Sequence, residues 1–428
     1  MGQPSDEADR LGLRSHPLRA ALSAEMHVRK LPYVTAPARL LQIVTLFGEH
    51  GIATAHAHVA SLCARHGVTV PPGVKHVVGM LGAYGFVWER HTEFASYTFI
   101  ASGPGEAAFG TEPFAEINAE WLGDLPGEVI RATIIALIAG DPSAEWLDRF
   151  APDDLIVCDV AEGRARIWSD FRLHADGFGR LLIGDRGLVG YEGAQLVQRL
   201  QELGNYRNMA LLALPLAQAL TPQVTALEQR LEALTAAIAA GASSDDSLLD
   251  ELSFLSAELA RLMTDTSYRM SATRAYAQLS TDRLHVLAST PVRGHPTLVD
   301  FTERRLLPAV RTCQSFSQRL EDLAQRAQRT SSLLRTRVDT ALARQNRDLL
   351  DSMNHRTAVQ VRLQQAVEGL SVVAISYYVV GLLGYVVKGL HEELPWLKPE
   401  VAVALAVPAV VLFAALVMRR IRRGAHHG

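Results

Sequence analysis

The sequence predicts an α+β membrane protein: an N-terminal mixed α/β domain, a long antiparallel stalk of helices of coiled-coil type, and a C-terminal two-helix transmembrane hairpin. Three observations predict it. Short β-branched runs separated by turn residues fill the chain up to about residue 186. Leucines four and three residues apart dominate the middle of the chain. Near the end, 369–387 is a run of 19 residues without a formal charge and 401–418 a run of 18, with only the 13 residues 388–400 between them. Each run reaches across a hydrocarbon core of about 30 Å at about 1.5 Å per helical residue.

Residues 1–186 form the α/β domain, placed in the cytosol. Residues 1–30 are polar, with a short helical pattern opening at His16-Pro17-Leu18-Arg19 and running through Glu25 and His27. Residues 40–47 fit a strand or a helix, and 53–66 a helix. Two short strands come next at 86–89 and 96–100, joined by 90–94. A Gly/Pro-rich linker at 103–110 leads to an amphipathic helix over 114–122. The run 129–139, β-branched in its middle, is a buried strand. Strands at 156–160, 164–173 and 179–183 complete the domain, with Glu162-Gly163 and Asp176-Gly177 as turns.

Residues 187–308 read as a helical hairpin. The apolar stretch 209–216 is too short to cross a membrane and is expected to be a buried turn. Leu220, Val224, Leu227, Leu231, Leu234 and Ile238 form a coiled-coil seam. Residues 241–247 break the helix, with Asp245 or Asp246 as the next cap. Leu248, Leu252, Leu255, Leu259 and Leu262 carry the seam back, and 291–296 turns the chain again. The stalk helix 309–368 continues the seam through Phe316, Leu320, Leu323, Ala327, Thr330, Leu334, Arg337 and Ala341, then through Leu349, Met353, Leu363 and Val367 into the first span, 369–387. The external loop 388–400 leads to the second span 401–418, and 419–428 is a basic tail. Arg419, Arg420, Arg422 and Arg423 against Lys388 and Lys398 put both termini in the cytoplasm of a bacterial inner membrane.

Composition narrows the partners. A net charge of −3 gives no footprint for nucleic acid. Cys63, Cys158 and Cys313 form no pair motif and suit a reducing compartment. The N-terminus has no apolar core of a secretory signal, and Asp6 stands where myristoylation wants Ser or Thr. No Walker loop, Gly-x-Ser-x-Gly or His-Glu-x-x-His is present, so no enzyme is expected and no cofactor is called for. Arginine replaces lysine almost everywhere, which most simply reflects a GC-rich genome, so a single arginine says little.

The segments HPLRAALSAEMHVR, WERHTEFASYTF, NYRNMALLALPLA, LLRTRVDTALARQNRDLL and QVRLQQAVEGLSVVAISYYVVGLLGYVVKGL resemble a family of bacterial membrane-anchored proteins, the domain-of-unknown-function family 3422. The resemblance covers almost the whole chain and implies a bilayer-anchored protein without assigning an activity. The order of elements is also similar to that of CorA-type divalent-cation channels, which implies a homo-oligomer, a pentamer in that family, and admits a divalent cation. The Gly-Met-Asn signature of those channels is missing: Tyr385-Val386-Val387-Lys388-Gly389-Leu390 stands there instead.

Three sets of residues are candidates for function. On the first span Gln364, Ser371, Tyr378, Gly381 and Tyr385 share a face, which either lines a water-filled path or packs helices together. The external loop brings the acids Glu392, Glu393 and Glu400. In the cytosolic domain Glu89, Arg90, His91 and Glu93 gather an acid, a base and an imidazole, as a ligand or proton-handling site or as a polar hairpin turn. His56-x-His58 faces apart on a helix and is a poor metal pair. Two function readings stand: a homo-oligomeric cation channel of CorA-like build, and a non-transporting membrane-tethered scaffold or sensor whose cytosolic domain binds a partner.

Overall fold

A computed structural model describes residues 14, 16–25, 32–48, 51–103, 108–117, 119–241, 244–391 and 399–425. The chain divides into two compact units, Met1–Arg329 and Thr330–Gly428. The first is an α+β body with a nine-stranded sheet; the second consists of long helices.

After a short helix α1 (Arg19–Glu25) come β1 (Ala38–Leu46), α2 (Gly51–Arg65), and the meander β2 (His76–Leu81), β3 (Tyr84–Arg90) and β4 (Phe94–Ser102). A one-turn helix α3 (Ala119–Gly123) precedes β5 (Glu128–Ala139), and α4 (Ala144–Leu147) precedes β6 (Ile156–Val160), β7 (Ala165–Ser169) and β8 (Gly179–Asp185). The sheet order is β2-β3-β4-β1-β5-β8-β7-β6-β9, where β9 is the two-residue strand Thr290–Pro291. All pairings are antiparallel except β5 with β8, where the returning meander β6–β8 lays its last strand beside β5.

Both faces of the sheet are covered, so its central strands bury side chains on both sides. Leu41, Ile43, Trp88, Tyr97, Phe99 and Ile134 pack on one face with Ala55, Val59 and Leu62 of α2. Leu40, Val87, Ile100, Ile135 and Leu137 pack on the other, with Leu196, Val197, Leu200 and Leu203 of α5 (Glu192–Leu211). Alternate residues of one strand thus enter different cores.

Helices α6 (Ala213–Ala240) and α7 (Asp245–Leu287) form the hairpin, with Val224, Leu227, Leu231 and Leu234 buried on one arm and Leu248, Leu252, Leu255, Leu259 and Leu262 on the other. Helix α8 (Leu298–His391) adds Phe316, Leu320, Leu323 and Ala327 to the buried set, and Arg319 donates to Glu228 of α6 at 2.7 Å. Helix α9 (Pro399–Ala425) closes the chain.

Several expectations change. The stretch 209–216 is helical except for a step at Leu212, because α5 and α6 are joined end to end. The cap of α7 is Ser244, whose Oγ accepts from Ser247 N, while Asp245 and Asp246 occupy the first turn. The long helix starts at Leu298, ahead of 309, with Thr297 Oγ1 accepting from Asp300 N at 3.1 Å, and Pro308 lies inside it. The helix expected over 114–122 resolves into the 3-10 turn Glu112–Phe114 and α3, each inserting one large ring, Phe114 and Trp121, into the core. Strand β2 was not expected at all. Glu392 and Glu393 lie outside the described residues; Glu400 sits in the first turn of α9.

In the second unit, the leucines and methionine of the seam beyond Leu334 lie open: Leu349, Met353, Leu363 and Val367 are between 55% and 66% exposed. Cavities between α8 and α9 are lined by Gln365, Gly369 and Val372 with Leu412 and Leu416, and by Val380 and Gly384 with Val403. The side of α8 turned to α9 thus runs 365, 369, 372, 380, 384, and Ser376 on it is buried. At about 100° per residue this lies on the opposite side of the helix from Ser371 and Tyr378, whereas Gly381 and Tyr385 also line the second cavity.

Candidate functional site

The predicted cluster around Trp88 does not form one site. Glu89 is paired across the sheet edge with His76, at 3.8 Å. His91 stacks on Phe94, with ring centroids 4.0 Å apart. Glu93 leaves the hairpin in the other direction, where both its carboxylate oxygens meet the Arg269 guanidinium of α7. Burial, with the charge and hydrogen bond of Glu93 behind it, pushes the Tyr276 hydroxyl up from its ordinary range. Arg90 anchors by its backbone N–H to Lys75 O at 2.8 Å. The arrangement is a clamp between sheet and helix, closed to solvent at Glu93, which is 7% exposed.

The histidine pair behaves likewise. His56 Nε2 lies 2.9 Å from Pro71 O, and His58 Nε2 lies 2.9 Å from Trp121 O with the rings stacked. Burial pulls the His58 imidazole down from its ordinary value. Among the described residues no group of three or more His, Cys, Asp or Glu is placed to hold a metal. On α8, Ser371 Oγ donates to Val367 O at 2.9 Å and Gln364 Nε2 donates to Glu368 Oε1 at 3.3 Å, while Tyr378 and Tyr385 are 70% and 77% exposed.

The site with unspent chemistry lies elsewhere. Pairing of β5 with β8 begins at Thr133 opposite Gly179, so the first residues of β5 extend past the start of β8. Helix α5 crosses this gap and presents Leu200, Leu203, Gly204, Arg207 and Asn208, one face at helical spacing. The result is a cleft of about 330 Å³ whose wall carries Arg131, Arg172, Arg180 and Arg207 and no carboxylate. Arg172 and Arg180 reach out to Asp154 and Asp176. Arg131 and Arg207 do not. Nη1 of Arg131 donates to two neutral amides, Gln42 Oε1 and Asn205 Oδ1. Arg207 lies over the Phe171 ring at 4.3 Å and the Phe301 ring at 5.5 Å. Burial, and then the charge of Arg207, pull the Arg131 guanidinium down to about 9; burial alone takes Arg207 to about 10.

The backbone makes room for these groups. A Cβ on Gly204 would stand 2.7 Å from Arg131 Cζ, so a side chain there forces the guanidinium to shift. Phe171 takes a φ of 52°, a costly value for a bulky residue, and its loop is pinned by Asp170, which accepts from Ala151 N and Arg172 N. Gly204→Ala is expected to gain about 1 kcal/mol of helix propensity and to lose about 1.5–3 kcal/mol of Arg131 hydrogen bonding. The net destabilisation of about 1 kcal/mol is readable as a lower urea midpoint.

Fold and site define an α+β protein with a basic cleft and with helices long and apolar enough to cross a membrane: Leu298–Gly389, Pro399–Arg420 and, by composition, Glu192–Ala240. The chain belongs to the family described as protein of unknown function (DUF3422), which matches residues 14–425. No curated protein and no solved structure matches it, and the expected likeness to CorA-type channels is not shown.

Proposed function

We propose that the protein is a homo-oligomeric receptor tethered to the bacterial inner membrane. On this reading 369–387 and 401–418 cross the bilayer as a hairpin, both termini are cytoplasmic, and the arginine cleft of the sheet domain is the ligand site. The observation that carries the reading is the apolar surface of the two C-terminal helices. Leu370, Val373, Leu382, Leu405, Leu412 and Phe413 are between 64% and 72% exposed. Leaving so much apolar area in water costs about 25 cal/mol per Å², whereas hydrocarbon accepts it without cost. The third apolar stretch stays in the cytosol, because Leu196, Val197, Leu200, Ala213 and Val224 are already buried within the first unit.

Self-association is supported by the open side of α8. The exposed seam of Leu349, Met353, Leu363 and Val367 continues into Ser371 and Tyr378, while Tyr385 lines a cavity against α9. Tyrosine hydroxyls at that depth need partners, and another copy of the same helix supplies them. That stripe also favours the second reading, a cation channel in which it lines a water-filled path of the oligomer. Ion flux through reconstituted oligomers that is altered by Tyr378→Ala would establish the channel.

The tether is tested by thiol labelling, since Cys63, Cys158 and Cys313 are all buried. Lys388→Cys is expected to react with an impermeant maleimide in intact cells, and Arg419→Cys only after the membrane is opened. The reverse pattern overturns the orientation. Release of the wild-type chain by alkaline carbonate overturns the membrane reading.

A further inference from the structure

Arg131 and Arg207 are an uncommon pair. Two cations face one cleft from a strand and a helix, near enough for each to feel the other, and among the described residues neither has a carboxylate partner. Both are part-buried; charges partly withdrawn from water are normally paired, and two like charges together add repulsion. Arg131 is held by amide oxygens of Gln42 and Asn205, which fix its direction and leave its charge uncompensated. Gln42 is itself fixed by donating to Ser96 Oγ at 3.0 Å. Arg207 lies against the Phe171 and Phe301 rings, which stack on each other and contribute no anion. The chain maintains this at a cost, with glycine at 204 and a left-handed Phe171. A missing anion explains all of these features together.

We propose that the cleft between β5, β8 and α5 binds the phosphoryl group of a small organic phosphate, held by the guanidinium groups of Arg131 and Arg207. A phosphate monoester places close to two negative charges on one compact group, and its oxygens match the planar donor fork of arginine. Two cations converging on one cleft fit that better than a dicarboxylate, whose charges lie apart. Leu181, Leu200 and Leu203 on the same wall give the remainder of the ligand an apolar surface. A volume of about 330 Å³ admits a group the size of a small ester and lies within the usual range of ligand sites. This inference rests on the cleft being the ligand site. It does not depend on the membrane tether, which the labelling experiment tests separately.

The test uses the full chain in detergent, with thermal unfolding and calorimetry against inorganic phosphate, phenyl phosphate, succinate and chloride at matched ionic strength. Phosphate and phenyl phosphate are expected to raise the unfolding temperature, phenyl phosphate at the lower concentration, while chloride does not. Arg207→Gln and Arg131→Gln are each expected to weaken phosphate binding by about tenfold or more. In phosphate-free buffer Arg207→Gln is expected to unfold at or above the wild-type temperature, because it removes one of two repelling charges. Arg172 is already engaged by Asp154, so Arg172→Gln should bind phosphate with little change. If phosphate does no more than chloride, or binds Arg207→Gln and Arg131→Gln as well as wild type, the proposal fails. A response to succinate alone overturns the phosphoryl assignment. Loss of folding in both Arg207→Gln and Arg131→Gln overturns it as well, since the pair would then be structural.

Discussion

Arg269→Ala is expected to destabilise the sheet domain by about 3–5 kcal/mol, the usual result of leaving one member of a buried ion pair without its partner. Glu93 is 7% exposed and receives both ends of the Arg269 fork, with Nη1 to Oε1 at 3.2 Å. The bond joins residues 176 positions apart in the sequence and ties the β3–β4 turn to the middle of α7. Glu93→Gln keeps the volume and removes the charge, so it should cost less than Arg269→Ala. Combining the two should cost less than the sum of the single changes, because neither charge is then left uncompensated. The measurement is the urea midpoint of the four proteins in a double-mutant cycle. A single-variant cost below about 1 kcal/mol would show that the pair is screened like a surface bridge. Tyr276 adds a pH signature with a definite sign. Its folded-state value lies above the ordinary tyrosine range. The stability it brings is therefore complete below the unfolded value, near pH 10, and is lost as pH rises through the folded one.

This clamp also marks where sequence reading succeeds and where it stops. The strands 129–139 and 156–160 were legible because β-branched residues crowd a face buried on both sides, and the structure gives Glu128–Ala139 and Ile156–Val160. Strand β2 was not legible: at the sheet edge Val78 and Met80 are open to solvent, and Gly79 interrupts the run. The hairpin seams were legible because leucines at four-three spacing need few other signals. The polar letters Trp88-Glu89-Arg90-His91-Thr92-Glu93 were visible as a cluster, yet the turn sends Glu89 toward His76 and Glu93 toward α7. Proximity in sequence does not mean a shared site when the backbone reverses between the residues.

The arginine cleft was the least legible feature. Its two cations are far apart in sequence, and an arginine-rich composition argues against giving weight to any one of them. The usable signal was context. Arg131 is the one charge inside the otherwise apolar run 129–139, and Asn205, Arg207 and Asn208 recur around Gly204 on a helix whose other residues on that face are leucines. A part-buried charge near the start of such a strand must find a partner or a purpose.

Ile375→Arg should abolish insertion of the first C-terminal helix, on the proposed membrane arrangement. The residue lies near the middle of 369–387 and is 49% exposed on α8. Replacing isoleucine by arginine at the centre of a spanning helix shifts the insertion free energy by about 3–4 kcal/mol against insertion. The expected result is loss of outside labelling at Lys388→Cys in the double variant, because the loop can reach the outer face only if the preceding helix crosses. Val359→Arg is the control: the residue is 50% exposed on the same helix, outside the spanning segment, and labelling should persist. The contrast separates lipid from protein as the cover of the apolar surface. A partner protein seated along the helix would be disturbed by arginine at either position, whereas hydrocarbon penalises the charge only within its own thickness. Undiminished labelling with Ile375→Arg would mean that this side of α8 faces water or a polar path in the oligomer, which would move the balance toward the channel.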